Sequence, residues 1–106
     1  MGFSAAKAAA VAALHEGNFE HEAREALAEK NLLAVGDVDA SEVAELVLKT
    51  RSQDYRESPH HWDQSVLVHT FRPTVRGQRW YIKVYFLEAD RDDRKAVFIS
   101  VHRGGS

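Results

Sequence analysis

The nine residues Arg79-Trp80-Tyr81-Ile82-Lys83-Val84-Tyr85-Phe86-Leu87 decide the fold of this chain. Apolar and polar side chains alternate through them. In a strand successive side chains point to opposite faces, so Trp80, Ile82, Val84 and Phe86 form one row and Arg79, Tyr81, Lys83 and Tyr85 the other. The first row demands an apolar cover. The second is amphipathic and cationic, and suits stacking and phosphate contact better than close packing. The pattern predicts a sheet with one face set against the core and the other left open.

Working upstream, Val66-Leu67-Val68-His69-Thr70-Phe71 reads as a strand, and Pro73 and Gly77 supply turn material, so the two runs form a hairpin. Either Val66, Val68 and Thr70 or Leu67, His69 and Phe71 can be the core row of that first strand. A buried imidazole would need a polar partner, which places His69 outward. Downstream, Glu88 to Lys95 is a charged connector, and Ala96 to His102 is a third strand rich in β-branched and aromatic residues. Strict alternation turns Val97, Ile99 and Val101 inward and Phe98, Ser100 and His102 outward.

The N-terminal half is helical in character. Ser4 to about His15 is alanine-rich and ends at Gly17-Asn18, and Phe19 to Lys30 reads as a short amphipathic helix. Asp39 followed by Glu42 is a capping-box variant, with Val38 and Val43 as its staple, opening a helix that turns Val43, Leu46 and Val47 inward. The polar stretch Arg51 to Gln64 contains Ser58-Pro59 and reads as a loop or an irregular edge segment. The expected architecture is therefore a single α+β domain. N-terminal helices, over about residues 4–50, pack on one face of a C-terminal antiparallel sheet over 65–102, joined by a loop over 51–64.

Composition narrows the function classes. No run approaches the roughly 18 to 20 apolar residues that span a bilayer, and the N-terminus lacks a basic start and apolar run, so the expectation is a soluble cytoplasmic protein without a membrane partner. Cysteine is absent, which removes disulfides, thiolate ligands and a cysteine nucleophile. Net charge is −2, unevenly spread: Met1 to Leu48 carries three basic against nine acidic residues, and Lys49 to Val84 seven basic against three acidic. A basic half on an acidic chain fits a polyanion-facing surface, although a solvated basic hairpin gives the same count.

The open face would carry His69, Tyr81, Lys83 and His102, bordered by Arg72, Arg76 and Arg79. RNA brings its own nucleophile, the 2′-hydroxyl. A metal-independent enzyme without cofactors needs a base for that hydroxyl, cations for the charge on phosphorus and an acid for the 5′-oxygen. Histidine titrates near neutrality and can act in either role. Taken singly, each of these residues is more often packing or surface filler; their shared face is what carries the signal. His60-His61-Trp62-Asp63 resembles a metal-binding tract but has no second ligand pair at suitable spacing, and reads as a loop. Trp62 would stack on a base or cover the core. His15 and His21 read as surface residues.

Asp54-Tyr55-Arg56-Glu57-Ser58, Phe71-Arg72-Pro73, Gly77 to Lys83 and Val97 to His102 resemble, in order and spacing, the MqsR-type toxins of bacterial toxin-antitoxin pairs, over roughly residues 40–103. Those toxins look like members of the wider RelE-like group of small ribonucleases. The resemblance implies helices on one sheet face, mRNA cleavage on the other and a neutralising antitoxin protein as partner. Tyr81 matches an active-site tyrosine of that family, and Lys83 and Arg72 match basic positions. Glu57, Val68 and His102 depart from the family pattern and suggest that a lysine-based site has become histidine-based. The resulting expectation has His69 as base, His102 as acid, Arg72 and Lys83 on the phosphate, Tyr81 positioning it, and Arg56, Arg76 and Arg79 guiding the RNA. The alternative is a non-catalytic RNA- or protein-binding module using the same face.

Overall fold

In the computed structural model, which describes residues 2–22, 30–87 and 95–104, the alternating stretch forms the long central strand of a mixed six-stranded sheet. The order of elements is α1 (Phe3–Glu16), β1 (Phe19–His21), α2 (Ala40–Leu48), β2 (Tyr55–Pro59), β3 (Leu67–Phe71), β4 (Thr74–Val75), β5 (Gln78–Leu87) and β6 (Lys95–Arg103). Across the sheet the strands run β1-β6-β5-β3-β2, and the short β4 continues the β3 side of the hairpin against β5.

Helix α1 presents Ala6, Ala10, Ala13 and Leu14 inward, a narrow stripe of small residues that lets it approach closely, and Gly17 ends it in the left-handed conformation (φ 71°). Helix α2 opens as its sequence dictates. The Asp39 carboxylate accepts from the Glu42 N–H at 2.8 Å, and the Glu42 carboxylate accepts from the Asp39 N–H at 3.2 Å. Val43, Ala44, Leu46 and Val47 are buried. The two helices share a core with Phe71, Ile82, Val84, Phe86, Ala96, Phe98 and Val101, so the inward row of β5 is the one the alternation predicts.

Four sequence expectations need correction. Phe19–His21 is not helical: it is an edge strand running parallel to β6, with Phe19 opposite Ala96, so the sheet is mixed rather than antiparallel. The remainder of that expected helix, 23–29, and the charged connector at 88–94 lie outside the described residues. His21 is half-buried there, hydrogen-bonded to Asn31 at 3.3 Å and held below its ordinary pKa by burial. Second, the expected loop contains a short 3₁₀ turn at Ser52–Asp54 and then β2, antiparallel to β3 at the far edge.

Third, the hairpin turn is Arg76-Gly77, with φ of 54° and 77°, the two-residue arrangement whose twist matches the flanking strands. Pro73 is no turn residue; its carbonyl accepts from the Trp80 N–H at 2.9 Å within the ladder. Fourth, β6 contains a bulge. Lys83 pairs with Ser100 and Val84 with Phe98, so Ile99 is the extra residue and parity flips on either side of it. Phe98 is thereby delivered to the core, fully buried, while Val97 turns to the opposite face beside Tyr85.

Candidate functional site

The face away from the helices is organised by the strand register. Arg56, Thr70, Lys83 and Ser100 stand opposite one another in a row across β2, β3, β5 and β6. One step toward the hairpin, Tyr81 pairs with His102. The register of Phe71 with Ile82 and of Thr74 with Arg79 is the same, which brings Arg72, between them, opposite Tyr81. The Arg72 backbone N–H donates to the Asp54 carbonyl at 2.8 Å, while its side-chain Nε is buried without a hydrogen-bond partner. That nitrogen is closed to solvent, so an anion on this face reaches it only if its surroundings move.

Tyr81 and His102 stack face to face, 5.6 Å between centroids and 2° from parallel, and Lys83 Nζ lies 5.8 Å from the Tyr81 ring. His102 Nδ1 is 3.0 Å from the Arg103 carbonyl oxygen. A carbonyl only accepts, so Nδ1 carries a proton and, in the neutral ring, Nε2 keeps its lone pair for a proton-transfer role. The face thus collects an imidazole, a phenol, an ammonium and two guanidinium groups, with the hydroxyls of Thr70 and Ser100 in the same row. Alternation along β6 already turned Ser100 outward with His102; Thr70, whose face the pattern of β3 alone does not settle, joins the row once the register with Lys83 is known.

His69 does not join them. It pairs with Val84, faces the helix side and is 3% exposed. Phe71 decides this: with Ile82 opposite, it takes the core position, and alternation carries His69 inward with it. The partner such an imidazole needs is Tyr55 of β2, whose hydroxyl is hydrogen-bonded to His69 Nδ1 at 2.7 Å. The two rings stack 16° from parallel, and Phe86 lies 5.4 Å away. Burial holds the His69 pKa below its ordinary value against the pull of Glu57, and burial together with the Glu57 charge raises that of Tyr55 to about 12. Both groups are neutral at pH 7.

Arg76 also lies elsewhere. It lines a cleft of about 360 Å³ between α2 and the hairpin, with Val38, Leu46, Val75 and Trp80 as its apolar floor. Arg79 is exposed on the hairpin, its stem against Gly104, and Arg56 is exposed on the β2 edge. At the other end of the face, His60 Nε2 lies 2.9 Å from Glu22 Oε1, so a residue following β2 grips a residue following β1 and ties the opposite edges of the sheet together. The His60 ring stands edge-on to Tyr85 at 5.0 Å, and burial plus the charges of Glu22 and Glu20 raise the Tyr85 pKa. These partners are 38 residues apart, and nothing in the sequence links them.

Among the described residues no group of three or more His, Asp or Glu side chains converges as a metal site would require, and no helix is long and apolar enough to cross a membrane. No protein-family model matches the chain, and no curated protein or solved structure does.

Proposed function

We propose that the sheet face opposite α1 and α2 is an RNA-cleaving surface of the RelE-like toxin class, acting in the cytoplasm without metal or cofactor and held in check by an antitoxin protein. The observation that carries this reading is the convergence of Tyr81, His102 and Lys83 with Arg72 on one face of the sheet. With His69 turned to the core, His102 is the one imidazole of the expected set on this face. Its Nε2 takes the proton of the 2′-hydroxyl, the 2′-oxygen bonds to phosphorus, and the bond from phosphorus to the 5′-oxygen breaks. The Tyr81 hydroxyl supplies the proton to the departing oxygen. Arg72 and Lys83 carry the extra negative charge on the phosphoryl oxygens, and the products are a 2′,3′-cyclic phosphate and a 5′-hydroxyl. Arg56 and Arg79 guide the strand from either side.

A second reading is favoured by the position of His69: with His102 as the one imidazole beside Tyr81, Lys83 and Arg72, the surface binds RNA or a protein without cutting. Incubation with single-stranded RNA in EDTA separates the two. Cleavage by the wild type that is lost in His102→Ala supports the enzyme. RNA retention on a filter without any cleavage product supports the binding module, and neither cleavage nor retention overturns both RNA readings.

A further inference from the structure

Trp62 is 85% exposed, the most exposed large apolar side chain among the described residues, yet the loop that carries it is fixed by directional bonds. His60 N–H donates to the Val66 carbonyl at 2.8 Å, and Val66 N–H to the Asp63 carbonyl at 3.0 Å. The Asp63 carboxylate accepts from the Ser65 N–H at 3.1 Å and from its hydroxyl at 2.6 Å. Trp62 itself donates its backbone N–H to His60 Nδ1 at 3.0 Å. Because Nδ1 accepts there, the ring proton sits on Nε2 and is donated to Glu22, so a neutral His60 satisfies both partners at once. The Trp62 backbone is thus anchored near β1 through Glu22 and to β5 through the His60 contact with Tyr85, while the indole itself meets the His61 ring edge-on at 5.4 Å and is otherwise open to solvent.

We propose that Trp62 is a base-stacking platform, a subsite for an unpaired nucleobase of an RNA strand whose phosphates lie on the Arg56, Arg72 and Lys83 side of the same face. This rests on the RNA reading of that face. Tyr85 follows Lys83 by two residues on one row, roughly 7 Å along the strand. His60 covers Tyr85, and Trp62 lies two residues beyond it, a span well inside the roughly 4 to 16 nucleotides that a single-strand-binding surface occupies. Among the described residues at this end, Glu20 is ion-paired with Lys95 at 3.0 Å, while Glu22 and Asp63 are hydrogen-bonded to His60 and Ser65 and keep their negative charge, so the place suits a base and not a phosphate. Stacking on an indole needs no local cation and accepts any base. A ring carried on an anchored backbone offers that contact with only its own side-chain torsions left to order.

The test uses the full chain and a 2′-O-methyl oligonucleotide, which lacks the attacking hydroxyl and stays intact. Titration is expected to quench the emission of the exposed indole in the wild type, with quenching absent in Trp62→Phe at near wild-type affinity. Trp62→Ala is expected to bind about tenfold more weakly, with unchanged thermal stability and an unchanged dependence of affinity on salt, because no phosphate contact is lost. Lys83→Ala is expected to lower that salt dependence by about one ion. Trp62→Ala binding as tightly as wild type, while Lys83→Ala weakens binding, overturns the platform and leaves the RNA reading standing; that is the result if the indole serves a protein partner. No binding of the oligonucleotide by the wild type overturns the RNA reading and the platform with it.

Discussion

Two tyrosine-histidine pairs lie on opposite faces of one sheet, and what separates them is solvent. Tyr55 and His69 stack under the helices, joined by a 2.7 Å hydrogen bond, with burial pushing the histidine pKa down and the tyrosine pKa up. Tyr81 and His102 stack just as closely on the other face, where the phenol and imidazole are half-exposed and the histidine bonds a backbone carbonyl instead. The same two residue types therefore serve packing on one side and are available for chemistry on the other. Residue identity does not assign the role; the face does.

Substitutions that exchange the two pairs test this division. The largest effect is expected from His102→Ala, which should lower RNA cleavage at least about 100-fold, the usual worth of a positioned proton-transfer group, with the melting temperature unchanged. Product on a denaturing gel at more than a tenth of the wild-type rate would break the assignment. Next, Phe71→Ala, in the residue that draws His69 inward, should cost about 3 to 5 kcal/mol of stability, read as a fall in the denaturant midpoint. His69→Ala should cost about 1 to 3 kcal/mol, because it strands the buried Tyr55 hydroxyl, while the rate per folded molecule stays at the wild-type value. A rate collapse without a stability loss would reverse the two faces.

The pH dependence sharpens the same contrast. The folded-state pKa of His69 lies below the unfolded value of 6.5, so the unfolded chain binds the proton more readily. Its contribution to stability is present above pH 6.5 and is lost as pH falls through the lowered value. In chemical denaturation, His69→Gln should show a shallower loss of stability on the acid side than the wild type. Tyr55 has the opposite sign, with a folded pKa of about 12 against 10 unfolded, so stability is lost as pH rises between those values. Tyr55→Phe should remove that alkaline limb, at a cost near neutral pH of about 1 kcal/mol, the smallest of these effects.

Much of this was legible in the chain. The alternation through Trp80 to Phe86 fixed the core row, and the Asp39 and Glu42 pair fixed where α2 begins, because both signals are local. That Tyr81 and His102 share a face was reachable from parity, since His102 and Val101 lie on the same side of the bulge; that they stack needed the register. His69 was misplaced for a non-local reason. Its partner comes from β2, a polar edge strand too weakly patterned to read as one, so the cost of burying an imidazole looked unanswered. Phe98 and Val97 exchanged faces because a single extra residue, Ile99, resets the alternation, and no residue type announces that slip. Phe19–His21 has three residues, too few for any period to show.

Strand β1 rests on β6 in parallel, Phe19 against Ala96, so a segment made early is seated on one made 77 residues later. At about 5 to 20 residues per second, a ribosome needs roughly 4 to 15 s to cover that interval. Throughout it β1 has no partner strand, and the edge-to-edge grip of Glu22 on His60 has no completed sheet to close. The Tyr81 and His102 pair likewise forms only when β6 emerges. The surface proposed for RNA is thus complete only once β6 has joined the sheet, and a chain translated short of that strand does not yet carry it.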